Sequence, residues 1–398
     1  MKATIEKKNI VLGVSGGIAA YKSVELLRLM VKRGANVRVI MTQNAQRFVG
    51  PLTFKALSGQ PVCTGLFEDS DDSSIRHIDW AREADAVVIA PATANIIGKL
   101  ANGIADDALS TFILAVACPV ILCPSMNSQM YENKAVQTNI GRLKSYGHFV
   151  IDPDSGQLAC GTTGPGRLPE PKDILDRLIY YLSPKDLKDK RVLVTAGPTR
   201  EPIDPVRFIS NPSSGKMGFA VAKAAEKRGG DVTLITGPTN LSDLNNVKML
   251  KVNTAQGMAK AVFSNREHSD IIIKVAAVSD YRPKEQTEQK IKKDNISELV
   301  ILLEENPDIL KELGRRKKNQ ILVGFAAETE GLEKNSQKKL AEKNLDIIVG
   351  NIVGQPSSGF DAETNKATLF FKDGTKEPLP TMQKDDLAHV LLDRILQQ

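Results

Sequence analysis

Three side chains in the first half of this 398-residue sequence stand where a reactive group could act. Cys160 lies in the glycine-crowded segment DSGQLACGTTGPGRL, a setting typical of a reactive thiol on a flap rather than of a buried structural cysteine. Asn127 follows an apolar stretch in PSMNSQMY, where two methionines could line a pocket, and an ordinary loop start is the alternative. His77 precedes Trp80 in an amphipathic segment, and a surface or capping role is its alternative.

A glycine-rich turn near the start of the sequence, GVSGGIAA, could bind a phosphate. It lacks the GxGxxG pattern of dinucleotide-binding proteins, but Gly16 and Gly17 let the backbone approach a ligand beside a helix N-terminus, and Ser15 offers a hydroxyl. A tight strand-to-helix turn without a ligand is the alternative. The phosphate site is favoured because Thr42 and PATAN (residues 91–95) also follow predicted strands, and ligands of open α/β sheets bind at the carboxyl ends of strands. These features together predict a mononucleotide site.

The second half contains a long polar loop, VTAGPTREPIDPVRFISNPSSGKMG, with a second set of candidate ligand-binding residues. Its Gly-Lys pair is not a P-loop, because Met217 stands where that motif needs Ser or Thr for magnesium. Residues 213–215 and the following helix N-terminus could still form an anion nest. Arg207 and Asn211 could bind a phosphate or carboxylate, and the alternative is an ordered loop in which Arg207 pairs with one of its own acids.

The elements that must position these residues form two similar halves. Each half opens with an apolar strand, a turn, a helix that ends at Lys-Arg-Gly, and a second strand that reads Val-x-(Val/Leu)-Ile. Two such βαβ openings predict an α/β fold with two Rossmann-like domains and mainly parallel sheets. The charged, proline-containing segment YYLSPKDLKDKRV predicts a boundary near residues 183–190, and we assign the domains to 1–189 and 190–398. The segment LFFKDGTKEPLP predicts a terminal β-hairpin.

Composition narrows the class of protein. The start of the sequence has no signal-peptide layout, no apolar stretch reaches the roughly 20 residues of a membrane helix, and the four cysteines form no CxxC pair. We therefore expect a soluble cytoplasmic protein that does not bind a membrane. Only KIKK and RRKK are basic runs, which argues against nucleic-acid binding. Four histidines without an HExxH or Cys/His cluster make a zinc site improbable.

The order of the motifs resembles one enzyme family. VSGGIAAYK, PATAN, PSMNSQMY and ACGTTGPGR resemble the flavin-dependent half of the bifunctional coenzyme A biosynthesis enzymes, in which phosphopantothenoylcysteine decarboxylase is fused to phosphopantothenate–cysteine ligase. AAVSDYRP, KIKK, NPDIL, GFAAET and KKLAEKNLD follow in the order of the CTP-dependent ligase half. The resemblance covers nearly the whole chain and implies a flavodoxin-like flavoprotein half followed by a nucleotide-binding ligase half.

For the first half, the resemblance implies that FMN oxidises the cysteinyl thiol of 4′-phosphopantothenoylcysteine to a thioaldehyde. The thioaldehyde accepts the electrons left when carbon dioxide departs, and the resulting enethiolate is then reduced to 4′-phosphopantetheine. His77 is implied in proton handling or orientation, Asn127 as the clamp on the substrate carboxylate, and Cys160 as proton donor in the final reduction. The implied FMN-binding residues are Ser15, Gly16, Gly17, Thr42, Pro91, Ala92, Thr93 and Asn95.

For the second half, the resemblance implies that 4′-phosphopantothenate attacks the α-phosphate of CTP and that the amine of L-cysteine then attacks the acyl-cytidylate. Asn211 would serve the acyl-cytidylate, with Arg207 nearby, and Asp280 could hold Mg²⁺. Pro212 departs from the polar or basic residue expected there and biases Asn211 towards extended geometry. The implied CTP contacts are Ala276, Asp280, Lys290, Pro307, Phe325, Lys339 and Lys343.

The resemblance also implies a homo-oligomer, with trimeric packing of flavin halves and dimeric packing of ligase halves that together give a dodecamer. Two other functions are the alternatives. An oxidative flavin decarboxylase that stops at an enethiol is disfavoured by Cys160, and a non-catalytic relative is disfavoured because His77, Asn127 and Cys160 are all retained alongside a full ligase half. Neither accounts for the lysine-rich second site.

Overall fold

A computed structural model describes residues 5–66, 73–157, 161, 163–292, 298–328, 330–352 and 362–398, without the side chains of 73–77 and 352. The chain divides into two compact units between Ser183 and Pro184. This division lies slightly before the boundary at 189 assigned from the sequence. The intervening segment packs with the second unit. Leu187 is fully buried in the core of that unit, and Asp186 forms an ion pair of 2.5 Å with Arg228, which is itself buried and also contacts Asp393 at 2.8 Å.

The first unit contains a six-stranded sheet and a separate hairpin among the described residues. Its strands are β1 (Asn9–Val14), β2 (Asn36–Met41), β3 (Val62–Cys63), β4 (Ala86–Ala92), β5 (Val120–Pro124), β6 (Phe149–Val150), β7 (Asp154–Gln157) and β8 (Thr163–Arg167). Its helices are α1 (Ala20–Lys32), α2 (Pro51–Ser58), α3 (Ser73–Glu83), α4 (Ala94–Ala101), α5 (Ala108–Ala115), α6 (Ser128–Glu132), α7 (Lys134–Ser145) and α8 (Pro171–Leu182).

The main sheet of the first unit is parallel, in the order β3-β2-β1-β4-β5-β6, and β7 pairs with β8 antiparallel. Its central strands are buried on both faces, which explains their continuous apolar sequences. One core lies under α1, α2 and α8, and the other under α3, α4, α5 and α7. The strand order reverses between β1 and β4, and this reversal opens a crevice at the carboxyl ends of those two strands.

The second unit has an eight-stranded sheet and three short strand pairs among the described residues. Its strands are β9 (Arg191–Ala196), β10 (Arg200–Pro202), β11 (Phe208–Ser210), β12 (Asp231–Thr236), β13 (Lys248–Lys251), β14 (Ile271–Lys274), β15 (Tyr281–Pro283), β16 (Leu303–Glu305), β17 (Ile321–Glu328), β18 (Ile347–Ile352), β19 (Thr364–Asn365), β20 (Ala367–Phe371), β21 (Lys376–Pro378) and β22 (Met382–Gln383). Its helices are α9 (Lys216–Lys227), α10 (Ala255–Asn265), α11 (Ile309–Arg315), α12 (Leu332–Glu342) and α13 (Lys384–Ile395).

The strand order of this second sheet is β13-β12-β9-β14-β17-β18-β20-β21. The pairs as far as β18 are parallel, and β20 and β21 form the predicted antiparallel hairpin around Asp373 and Gly374. The order reverses between β9 and β14, which places a second crevice beside Gly197 and Val275. The predicted class, α/β with mainly parallel sheets, is confirmed.

The sequence predicts one long loop after β9, but the structure places a short hairpin, β10 with β11, within it. A second pair, β15 with β16, joins residues about twenty positions apart in the sequence, as the bounds of the two strands show. Such three-residue strands carry too few residues to display an alternating pattern. Within the described part of the chain, no helix combines the length and the apolar character needed to span a membrane.

Candidate active sites

The first crevice is a cleft of about 790 Å³ at the switch point between β1 and β4. It brings together residues that lie far apart in the sequence, at the carboxyl ends of β1, β2 and β4. The residues predicted to bind a mononucleotide that line it are Ser15, Gly16, Gly17, Thr42, Thr93 and Asn95. Pro91 and Ala92 do not line the cleft, because they are the last residues of β4, and Ala92 is fully buried in the core.

Ser15 has a different local role from the one its hydroxyl suggested. The side chain is buried, and its hydroxyl donates to the backbone oxygen of Pro91 at 2.8 Å and accepts from the N–H of Thr93 at 3.0 Å. Both hydrogen bonds lie within the protein. Ser15 therefore ties the turn after β1 to the turn after β4 and fixes the floor of the cleft.

Asn127 lines the same cleft and caps α6, since its side-chain oxygen accepts from the N–H of Gln129 at 2.9 Å. The hairpin β7–β8 packs against this loop, where the N–H of Met126 donates to the carbonyl of Gly166 at 3.0 Å. Gly166 has a φ of +133°, and a Cβ there would lie 2.1 Å from the carbonyl oxygen of Met126. Only glycine permits this approach, so the glycine-rich motif is needed to join hairpin and loop.

Two of the predicted catalytic side chains lie outside the described residues. Cys160 falls between β7 and β8 in the sequence but lies outside the described residues, and so does the side chain of His77, although its backbone is part of α3. The first cleft thus brings together Asn127 and the base of the hairpin. The positions of the thiol and the imidazole stay predictions.

Charged side chains that were not predicted from the sequence also line the first cleft. The buried ammonium of Lys22 donates to Glu170 at 2.8 Å and to the carbonyl of Leu168 at 3.1 Å, and Arg167 also contacts Glu170 at 2.9 Å. The signal was available, because Lys22 follows the glycine-rich turn on the first turns of α1. These contacts anchor the chain just after β8 to α1.

Lys99, a third cation of the cleft, is also paired with acids. Lys99 contacts Asp106 at 2.6 Å and Asp107 at 2.7 Å. Burial alone would lower the pKa of Lys99, but hydrogen bonds with the two carboxylates outweigh it and the pKa is raised. The named lysines of the first cleft are therefore paired, and an anion bound there would depend on backbone N–H groups and hydroxyls.

The second crevice is a cleft of about 460 Å³ at the switch point between β9 and β14. Of the predicted site residues, Asn211, Ala276 and Phe325 line it. The amide of Asn211 donates to the carbonyl of Val278 at 3.1 Å, which fixes the side chain against the segment after β14. The polar lining residues that were not predicted from the sequence are Lys216, Lys274, Asn351, Asn365 and Lys384.

The turn that begins α9 forms one wall of the second cleft. Gly215 precedes the helix with a φ of +78°, and a Cβ there would lie 2.7 Å from the methyl group of Thr239. This left-handed turn directs the first N–H groups of a 12-residue helix towards the cleft edge. The geometry suits an anion, as the predicted nest at residues 213–215 requires.

The other predicted residues of the second site do not line this cleft: Arg207, Asp280, Lys290, Pro307, Lys339 and Lys343. Two of their lysines are held by acids, Lys339 by Glu328 at 2.6 Å and Lys343 by Asp308 at 2.8 Å. Asp280, Lys290 and Pro307 are exposed. Their roles stay predictions.

Arg207 pairs with an acid of its own loop, as the alternative interpretation of the sequence predicts. Its guanidinium lies 3.2 Å from the fully buried carboxylate of Asp204, an acid of the same loop. The same carboxylate accepts the N–H of Ile291 at 3.2 Å. Arg207 and Asp204 thereby hold the segment that carries Lys290.

Two buried acceptors in the second cleft have no hydrogen-bond partner within the described part of the chain. They are the side-chain oxygens of Asn351 and Asn365. An unsatisfied buried oxygen is costly, so these atoms suit a ligand that carries N–H or O–H donors. The described residues contain no group of three or more His, Cys, Asp or Glu side chains that could hold a metal ion, so Asp280 belongs to no such group there.

Comparison with known proteins assigns each half of the chain to a protein family. Residues 1–183 match the Flavoprotein family, and residues 187–398 match the family described as DNA/pantothenate metabolism flavoprotein C-terminal domain. The coenzyme A biosynthesis bifunctional protein CoaBC of Bacillus subtilis is 49% identical over 395 residues, covering 98% of this chain and 97% of that protein. The chain belongs to the CoaBC family. The Escherichia coli K12 protein of the same name is 47% identical over 393 residues, with 98% and 97% covered.

Membership of this family makes the chain a bifunctional enzyme of coenzyme A biosynthesis, with a flavoprotein decarboxylase half and a ligase half. Solved structures of single halves are also similar. The C-terminal domain of a CoaBC protein is 44% identical, covers 53% of this chain and 96% of that chain, and has a TM-score of 0.46. The FMN-dependent cysteine decarboxylase SpaF is 27% identical, covers 45% and 97%, and has a TM-score of 0.39.

Proposed function

We propose that the first cleft binds FMN and decarboxylates 4′-phosphopantothenoylcysteine, and that the second cleft uses CTP to join 4′-phosphopantothenate to L-cysteine. The observation that carries the proposal is the convergence of Gly16, Thr42, Thr93 and Asn127, from four separate segments, on one cleft in the flavoprotein half. Such convergence at a switch point is where open α/β sheets bind nucleotides.

The residues of the first cleft fit FMN. Backbone N–H groups of the glycine-rich turn and the hydroxyls of Thr42 and Thr93 suit a phosphate, and Ile18 and Met126 offer apolar surface to a ring system. When bound, FMN supplies the reversible electron transfer that decarboxylation of an unactivated carbon requires. The paired cations of this cleft leave phosphate binding to neutral donors.

We assign the roles of the reactive side chains in the first half from the family resemblance of the sequence, and their chemistry is consistent with these roles. The amide of Asn127 can hold the substrate carboxylate without adding a charge that would stabilise the ground state. Cys160 would donate a proton in the final reduction, because a thiol is a far stronger acid than an alcohol. His77 would orient the substrate or move a proton. All three assignments come from the sequence, and the cleft supports the first through the position of Asn127.

The second cleft suits an anionic nucleotide. The described lining includes Lys216, Lys274 and Lys384 and no carboxylate, and Phe325 offers an apolar face for a base. Asn211 would hold the acyl-cytidylate, and Arg207 would act by supporting the segment with Lys290. Lys290, Lys339 and Lys343 would approach the phosphates. Mg²⁺ would bind chiefly through those phosphates, with exposed Asp280 as a protein ligand.

Assembly and location complete the proposal. The second unit exposes Val206, Phe208, Tyr281 and Val300, a set of apolar side chains typical of a protein interface. We propose a homo-oligomer, with the dodecamer as the expected form. A cytoplasmic location is supported by the free thiols of Cys118 and Cys123, since reduced cysteines are usual in that compartment.

One experiment tests both activities. The purified protein is incubated with 4′-phosphopantothenate, L-cysteine, CTP and Mg²⁺, and the products are identified by mass spectrometry. We expect CMP, pyrophosphate and 4′-phosphopantetheine in equal amounts. Omission of CTP should abolish all three, whereas supplied 4′-phosphopantothenoylcysteine should still be decarboxylated. Formation of neither CMP nor a decarboxylated product would contradict the proposal.

A further inference from the structure

Lys274 occupies an unusual position in the second unit. It is the last residue of β14, whose preceding three isoleucines are buried, and β14 lies beside the switch point of the sheet. Its half-buried side chain lines the second cleft together with Asn211 and Gly215. A charged residue at the carboxyl end of a buried strand, at a switch point, stands where ligands of such sheets bind.

Lys274 has no carboxylate partner among the described residues, whereas neighbouring lysines do. Lys343, Lys339 and Lys216 each lie within 2.8 Å of a carboxylate oxygen. No hydrogen bond or ion pair is formed by the ammonium of Lys274 with any residue that the structure describes. Burying a cation without a partner is unfavourable, so an isolated ammonium facing a cleft is most stable when the cleft holds an anion.

The electrostatics around Lys274 agree with this placement. Burial and the positive charge of Lys343 lower its pKa to about 8, although Asp308 and Asp280 oppose the shift. The two carboxylates are therefore too weak an influence to compensate the ammonium. Asp308 is already engaged by Lys343 at 2.8 Å.

The chemistry of the surrounding wall identifies the anion. The glycine turn and N-terminus of α9 face the same cleft, and its described lining contains no carboxylate. We propose that Lys274 binds the phosphate chain of the nucleotide that enters the second cleft. This inference rests on the proposed function of that cleft as a CTP site. It adds to the site a lysine that is distinct from Lys290, Lys339 and Lys343.

The test compares three probes, CTP, CMP and cytidine, by titration calorimetry on the full chain with Mg²⁺. Lys274→Gln should weaken CTP binding by about 10- to 100-fold, the usual effect of losing a charge-assisted contact, and cytidine binding by less than about twofold. CMP should fall between them. Lys274→Arg keeps the charge and should bind CTP more tightly than the Gln variant. Lys251→Gln is the control, because Lys251 is exposed, lies outside the cleft and pairs with Asp243.

The outcomes separate the two proposals. If the unmodified chain fails to bind CTP, the proposed CTP site is wrong. If it binds CTP and Lys274→Gln binds equally well, or loses cytidine as strongly as CTP, the role of Lys274 in phosphate binding is wrong. The unmodified chain gives a second measurement that needs no folded variant. CTP affinity should be full below pH 8 and fall as Lys274 loses its proton above it, while cytidine affinity stays constant, and a flat CTP profile would count against the proposal.

Discussion

At the scale of single residues, the two clefts differ in whether their lysines are paired with acids. The first pairs Lys22 and Lys99 with acids, whereas the second leaves Lys274 without a described partner. Lys274 was missed in the sequence because IIIKV indicates only a buried strand, and a pattern of apolar residues does not show that the last side chain faces a crevice. Asn127 was found because it follows its strand directly, in a segment with no apolar pattern to obscure it.

The first prediction concerns Cys160. Cys160→Ser should bind FMN and release carbon dioxide for about one turnover, and then stop with an enethiol product, because a hydroxyl is a much weaker acid than a thiol with a pKa of about 8.5. Anaerobic rapid mixing, followed by absorbance of the oxidised flavin, measures the block. Cys63→Ser is the control, since Cys63 lies in the edge strand β3. Turnover of Cys160→Ser to 4′-phosphopantetheine near the unmodified rate would show that the cysteine is only structural.

At the scale of elements, much of the fold follows from sequence pattern. The βαβ openings could be predicted because apolar strands and glycine-ended helices are local signals, and α1 and α9 end just before glycines with positive φ, Gly34 and Gly229. The pairs β10–β11 and β15–β16 could not, because their partners are chosen by tertiary contacts. The contact between the hairpin β7–β8 and the loop of Asn127 could not be predicted either, because it is a tertiary contact. It depends on close backbone approach at Gly166.

The second prediction tests that contact. Gly166→Ala should force the hairpin away from the carbonyl of Met126, because the new Cβ would lie 2.1 Å from that oxygen. The movement of the hairpin that relieves this overlap should lower the rate of decarboxylation on the order of 100-fold and leave the ligase reaction unchanged. Rates for the two half-reactions are measured separately, with each substrate supplied.

Gly147→Ala is the matched control for this change. Gly147 also has a positive φ, +88°, but a Cβ there would meet nothing within 4 Å. It therefore carries the backbone strain without the close approach. Equal losses in the two variants would show that strain, rather than the packing of hairpin on loop, determines the effect.

At the scale of the whole molecule, each unit has its own sheet, its own two cores and its own cleft. The third prediction follows from this division. Lys290→Gln should reduce amide formation by about 100-fold, as loss of a charged contact to a transition state does, while decarboxylation of supplied 4′-phosphopantothenoylcysteine stays within about twofold. Lys284→Gln is the control, because Lys284 is exposed in the same segment. Equal loss of both activities in a folded variant would contradict independent sites.

The last prediction concerns both FMN binding by the first unit and the position of the boundary between the two units. A fragment of residues 1–183 contains every described lining residue of the first cleft and the complete first unit. It should therefore fold, bind FMN and be yellow. The fragment 184–398 should be colourless, and it should be more stable than a fragment that begins at 190. The longer one keeps Leu187 in the core and Asp186 beside buried Arg228. Removing one partner of a buried ion pair costs about 3–5 kcal/mol when no other partner remains.

Urea unfolding of the two C-terminal fragments measures that difference, and absorbance after addition of FMN measures flavin binding by the first. Asp393 still contacts Arg228 in the shorter fragment, so the loss should fall towards the lower end of that range. Equal stability would mean that residues 184–189 are a linker, and the domain boundary would then lie at 189 as the sequence alone indicated. A first fragment that folds but takes up no FMN would contradict the flavin assignment, whatever the position of the boundary.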